Sequence, residues 1–247
     1  MAAEPGYLTT RGGGLGSRIG FLMIAALTAV LSAQSQQRFS PPRLVRGNLP
    51  GMSAANVVGG GEVLIEATVD RDGRLTRPVV LRTTPPFSSM ILDAVEDWRL
   101  TPAHAVGDDG TDGPVESSVL IAAVYRPPTL FNGPVLGDPP TDLATASANV
   151  VYPLKIVAPP FPSRALMGSV VLFEVMLDQT GTITEARAIG SDLGFDSAAR
   201  EALLQWKFRP SRYRDRPAPA TAYVIFGFSP PVAPPPVVPP LGAITIP

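Results

Sequence analysis

Three groups of residues in this sequence are of types that could do chemistry. The only histidine, His104, lies in "AHAVGDDGTDG" (residues 103–113), a run rich in glycine and acid. With no second histidine and no cysteine in the chain, it has nothing with which to build a zinc site or a nucleophilic triad. Asp93 and Asp97 stand four residues apart, as paired carboxylates on one helix face would, but the positions 108 residues later are Glu201 and Gln205. "GGG" at Gly59–Gly61 lacks the Lys-Ser/Thr that follows in a phosphate-cradling loop. These read as a solvated loop histidine, a solvated helix face and a flexible lead into a strand. No catalytic residue, cofactor or metal ligand is expected, and the chain is not expected to be an enzyme.

The elements that would position any functional group come next. The chain has 247 residues, 45% of them hydrophobic, a net charge of -1 and 29 prolines. A protein that grips nucleic acid over a whole face needs an excess of Lys and Arg, which is missing here. After Arg18 comes "IGFLMIAALTAVLSA" (Ile19 to Ala33), an uncharged apolar run followed by "QSQQR". As a helix it would reach roughly 22 Å, short of the ~30 Å hydrocarbon core. Ala33-Gln34-Ser35 offers small residues for cleavage, so residues 1–35 read as an export signal, with a short uncleaved anchor as the alternative.

Beyond this leader one unit is written twice. The same offset of 108 relates Trp206 to Trp98, Pro210 to Pro102, Gly181 to Gly73, Asp178 to Asp70 and Phe195 to Phe87. Each copy opens with alternating apolar residues, Val63, Ile65, Ala67 and Val69 or Val171, Phe173, Val175 and Leu177, as a half-buried strand requires. "DRDG" or "DQTG" then reverses the chain, with Asp capping its own backbone and Gly taking a positive φ. The return strands, through Leu75, Pro78 and Val80 or Ile183, Ala186 and Ala188, step by three and then two, which predicts a bulge in each. A helix follows, with Ile91, Ala94, Val95 and Trp98 or Ala199, Ala202, Leu203 and Trp206 down one face. Leu100 or Phe208 dips back into the core, and Pro102 or Pro210 turns the chain outward. A last apolar strand closes each copy, "SVLIAAVYRPP" (Ser118 to Pro128) or "AYVIFGFSPP" (Ala222 to Pro231).

The predicted architecture is therefore α+β: two tandem ββαβ domains, each an antiparallel three-stranded sheet with a helix on one face. The domains are 58–128 and 151–231, with linkers at 36–57 and 129–150 and a Pro-rich tail at 232–247. The third strand is expected beside the first, hence at an edge. An edge strand presents a row of unpaired backbone donors and acceptors, which a protein must blunt or use.

The ordered set of motifs in "FPSRALMGSVVLFEVMLDQTGTITEARAIGSDLGFDSAAREALLQWKFRP" resembles the TonB C-terminal domain family. It contains an aromatic-Pro, Arg-Ala, Gly-x-Val, D-x-x-G, Ser191 and W-x-F-x-P. Residues 58–128 keep D-x-x-G and W-x-L-x-P but lack the opening signature. The resemblance implies a periplasmic module that takes up a peptide of an outer-membrane transporter as an added strand, in energy-dependent transport. On this chain the acceptor would be Tyr223, Val224, Ile225, Phe226, Gly227 and Phe228, and inner-membrane motor proteins would be partners if the leader stays as an anchor. The opposing reading is a soluble secreted scaffold whose edges pair with one another or with a second copy, as a homodimer, without motor coupling. A charge contrast adds a second candidate surface. Residues 58–128 hold six basic and eleven acidic residues, and 151–231 hold nine and seven. The basic loop Arg209, Arg212, Arg214 and Arg216 would meet the acidic Asp108, Asp109 and Asp112, or an anionic envelope partner.

Overall fold

The computed structural model describes residues 39–51, 60–107, 110–126, 146–163, 165, 168–190 and 194–228. The expected leader, the Pro-rich tail and positions 129–145 of the second linker lie outside them. In chain order the described elements are β1 (Phe39–Ser40), β2 (Arg43–Arg46), β3 (Gly61–Val69), β4 (Leu75–Arg82), α1 (Phe87–Val95), β5 (Arg99–Thr101), β6 (Ala103–Val106), β7 (Asp112–Val115) and β8 (Ser117–Arg126). They continue with β9 (Tyr152–Lys155), β10 (Ser169–Leu177), β11 (Ile183–Gly190), α2 (Asp196–Leu203), β12 (Lys207–Arg209), β13 (Ser211–Tyr213), β14 (Arg216–Ala218) and β15 (Ala220–Phe228). The class is α+β.

The two hairpins are set by their turns. Asp70 Oδ1 accepts the N–H groups of Asp72 and Arg74 at 2.9 and 2.8 Å, and Asp178 Oδ1 those of Thr180 and Thr182 at 2.8 and 3.0 Å. Gly73 and Gly181 take φ of +77° and +83°. A Cβ there would stand 1.8 Å from the Leu100 carbonyl oxygen or 2.6 Å from that of Phe208, so no side chain fits. Both return strands are bulged where the spacing breaks: the register slips between Glu66 and Thr68 opposite β4, and between Met176 and Leu177 opposite β11.

Each third strand lies beside its own first strand, β8 against β3 and β15 against β10, both antiparallel. The expectation that these strands form edges is overturned. β15 also pairs with β8, in parallel, from Ala222 opposite Leu120 to Phe228 opposite Arg126. The two three-stranded groups thus share one six-stranded sheet of order β11-β10-β15-β8-β3-β4, in place of two separate sheets. Among the described residues the edges of this sheet are β4 and β11.

The physical reason is burial. Ala222, Val224, Phe226 and Phe228 pack with α2 and Trp206, whereas Tyr223 and Ile225 pack on the opposite face with α1 and Trp98. All nine residues of β15 are buried. In β8, Val119, Ile121, Ala123 and Tyr125 lie with α1 while Leu120, Ala122 and Val124 lie with α2. Each third strand therefore has a second apolar face that its own helix cannot cover. Pairing the strands in parallel, with the helices on opposite faces, covers both.

The register carries the signature of this arrangement. Pairing with β3 and β10 makes Ala123 and Phe226 counterparts, each opposite a valine, Val63 or Val171. A half-turn about an axis along the strands would send these two to opposite faces. Neighbours in a sheet share a face, so Phe226 stands opposite Val124 instead, one residue away.

The expected linkers are also partly structural. Residues 39–51 form a strap in which β1 pairs with β6 and β2 with β5, and Ala146 and Val150 are buried in the α2 cluster. Apolar periodicity is too short in such strands to announce them.

Candidate peptide-binding surface

Every residue of the predicted acceptor, Tyr223, Val224, Ile225, Phe226, Gly227 and Phe228, has β10 on one side and β8 on the other. No room for a guest strand remains there. Gly227 serves the seam instead: a Cβ on it would stand 2.3 Å from the ring of Tyr125, which itself stacks on Phe87 at 4.1 Å. Burial pushes the Tyr125 hydroxyl up to about 12.

The predicted motif residues are core anchors. Trp98 is fully buried and meets Tyr223 edge-on at 5.2 Å, joining the first helix to the last strand. Its Nε1–H donates to the Asn48 carbonyl at 2.9 Å, as that of Trp206 does to Val157 at 3.0 Å. Phe208 is buried beside Trp206, while Pro102 is half-buried and Pro210 exposed. Phe161 of the aromatic-Pro motif packs against Phe195 and Phe228.

A buried carboxylate holds the strap. Glu174 on β10 is fully buried and accepts the Leu44 N–H at 2.7 Å. Arg43 reaches it through Nε and Nη2 at 3.1 and 2.9 Å, and Arg187 at 3.2 and 2.8 Å. Burial pushes the Glu174 carboxyl up, but these donors outweigh it and hold the group below its usual range. The Tyr223 hydroxyl has no hydrogen-bond geometry to any described partner, and burial with the nearby Glu174 charge raises it well above the ordinary phenol value. Thr221 Oγ1 donates to the Pro42 carbonyl at 2.7 Å, completing the attachment. The counterpart of Glu174, 108 residues earlier, is Glu66, which accepts the N–H of Ser147 at 2.9 Å and its hydroxyl. Two glutamates at the repeat offset were visible in the sequence, but nothing marked Arg43 or Ser147 as their partners.

The two free edges differ. On β11, the Ala186 carbonyl accepts Arg200 Nη1 at 2.6 Å and Gly190 lies under Leu49, so this edge is partly closed. On β4, Val79 and Val80 are 48% and 40% exposed. Among the described residues nothing pairs with the outer side of β4. Arg77, at φ +49°, and Pro78 form its bulge and limit the open stretch to Val79–Arg82. The signal for this edge was Pro78 itself, because proline in a strand marks an edge.

Next to that bulge lies a cleft of about 460 Å³ built from both halves and the strap. Val79 and Arg77 form one wall, and Arg212 and Arg214 of the β13–β14 hairpin another. Of the basic loop, Arg209 donates Nη2 to the carbonyls of Ser147 and Val150 at 2.6 and 3.2 Å, a structural task, and Arg216 is exposed on β14. Asp108 and Asp109 lie outside the described residues. Asp112 is on β7, 3.8 Å from the ring of His104, which sits in strand β6 and not in a loop. Asp93 and Asp97 are exposed. Among the described residues no group of side chains is placed to hold a metal, and no helix is long and apolar enough to cross a membrane.

No curated protein matches the chain. Residues 158–230, a stretch that includes the Phe161 anchor and all of β15, match the family model of the Gram-negative bacterial TonB protein C-terminal.

Proposed function

We propose that this chain is an envelope protein of TonB type that binds an extended segment of an outer-membrane transporter by strand addition along β4. Residues 58–128 are read as a second, divergent copy of the matched domain, and residues 1–35 as the signal or anchor that delivers the protein to the periplasm. The observation that carries the reading is the contrast between edges: β15 is flanked on both sides, whereas Val79 and Val80 stand exposed on an edge strand whose outer side pairs with none of the described residues. An exposed apolar edge gives backbone affinity and accepts alternate side chains into its flanks.

Because the chain has no cysteine, single reporters can be placed at will. Val80→Cys should form a disulfide with cysteine-bearing peptides from the periplasm-facing segments of outer-membrane transporters, and Leu204→Cys, at a more exposed position, should not. Equal crosslinking at the two positions, or none at Val80, refutes strand addition at β4.

One observation favours the scaffold reading. The third strands of the two halves already satisfy one another, so much of the edge-pairing capacity is spent inside the chain. Under that reading the protein would recover only itself from envelope extracts.

A further inference from the structure

We infer that the end of the sheet carrying both D-x-x-G turns docks on an anionic phospholipid surface. This is a different surface from the β4 edge, and it stands whether or not a peptide binds there. Its first mark is a bulge that the two halves share. β2 pairs with β5 and β9 with β12, and in each pair one residue of the first strand is left over, Val45 or Leu154. Both face solvent, 65% and 48% exposed. Beside each stands a pair of like charges directly across the ladder: Arg46 opposite Arg99, and Lys155 opposite Lys207, the chain's two lysines. Arg74 bridges to Arg99 from the other side, so the first half carries a row of three arginines. Like charges facing one another cost stability. Among the described residues none of these five side chains makes an ion pair that would offset the cost. Arg99 donates Nη1 to the Glu96 and Trp98 carbonyls at 3.3 and 2.7 Å, while the exposed carboxylates of Asp72, Glu96 and Asp97 pair with none of the row.

The topology puts both patches at one end. β3 and β10 run in the same direction, since each is antiparallel to its third strand and the third strands are parallel. Their turns therefore lie at the same end of the sheet, and each patch is tied to its own turn. Leu100 donates its N–H to the Gly73 carbonyl at 2.8 Å, and the Phe208 carbonyl oxygen lies against Gly181. Phe39 is at this end too, stacked at 4.6 Å on Tyr213 of the hairpin that leads into β15. Residues 34–38, at most about 17 Å of chain, separate Phe39 from the apolar run Ile19 to Ala33, so on the anchor reading of that run this is the end nearest the bilayer. An aliphatic tip among unpaired cations suits a headgroup layer, where the cations meet lipid phosphates and the tip enters the acyl boundary. An acidic peptide would answer the cations alone.

The test places an environment-sensitive dye on single cysteines in the full chain, at Val45→Cys, at Leu154→Cys and, as a control, at Thr83→Cys, exposed just beyond the opposite end of β4. Vesicles of phosphatidylglycerol should shift the emission of the first two to the blue, vesicles of phosphatidylcholine should not, and raised salt should weaken the response. Lys155→Gln and Lys207→Gln should each raise the lipid concentration at half-shift about fivefold at position 154, and Arg46→Gln should do the same at position 45. Lys207→Arg should respond as the parent does. Equal shifts in the two lipids would mean that the leader alone brings the protein to the bilayer, and would overturn the inference. So would a response at Thr83→Cys equal to that at the two patches, no response at either patch, or insensitivity to all three glutamine substitutions. Soluble polyglutamate that reverses the shift as readily as phosphatidylglycerol produces it would also overturn the inference, by assigning the cations to an acidic protein.

Discussion

Replacing Glu174 by glutamine should expose how the strap is held. The substitution keeps size and an acceptor for the Leu44 N–H, but removes the charge that draws in Arg43 and Arg187. Breaking a buried ion pair typically costs about 3–5 kcal/mol when a fully buried partner is stranded. Here the two arginine side chains are 41% and 47% exposed and can recover part of their hydration, so the expected loss at neutral pH is nearer 2–3 kcal/mol, toward the value for bonds to charged groups. For a body of this size that lowers the melting temperature by about 5–10 °C. The pH dependence gives the sign. The folded carboxyl titrates below its unfolded value, so its contribution is complete above about pH 4.3 and is lost as the pH falls through the lower folded value. Thermal melts of parent and variant should therefore diverge at pH 7 and converge in acid. Equal melting at pH 7, or a gap that persists undiminished in strong acid, would refute this account of the latch. Glu66→Gln, whose carboxylate is held only by Ser147 among the described residues, should cost about 1 kcal/mol.

Three further outcomes follow from the same packing. Gly73→Ala and Gly181→Ala should each cost more than about 2 kcal/mol in urea unfolding, from a left-handed φ and a clash with backbone oxygen, and Gly73 should be the worse because its clash is closer. Gly227→Val should disrupt the β15–β8 seam, because its side chain would enter the Tyr125 ring; loss of protection of β8 and β15 amides in hydrogen exchange, beyond that of β4 and β11, is the readout. A fragment of residues 146–228 alone should be aggregated or dimeric by light scattering, since it would expose Tyr223, Ile225 and Leu172 on the face now shared with α1; a stable monomer would show that face to need no cover.

The local plan of the fold was legible. The offset of 108 located both D-x-x-G turns, both bulges and both helices, and the stripe from Ala199 to Trp206 is buried as its spacing required, although α1 and α2 end at Val95 and Leu203 and each tryptophan stands three residues beyond its helix. The order of strands within each half also followed from the helix separating the hairpin from the third strand. The strap was missed: "PPRLVRGN" is short and polar, and its place depends on Glu174, 131 residues from Arg43. The β4 edge was legible only through Pro78, because the mixed apolar and polar residues of "LTRPVVLR" do not say which side of the strand finds a neighbour.

Sequence and structure part most clearly at "ATAYVIFGF". Unbroken apolar character from Ala220 to Phe228 is the mark of a strand buried on both faces, and alternation would have been the mark of an edge strand with one wet side. What the sequence determined by itself is what short-range spacing can encode: turns, bulges, helix faces and pairing within a hairpin. Only the tertiary structure decided which edges stay open, because that depends on whether a second apolar face finds cover, and for β15 the cover is supplied by β8, α1 and Trp98 from the other half of the chain.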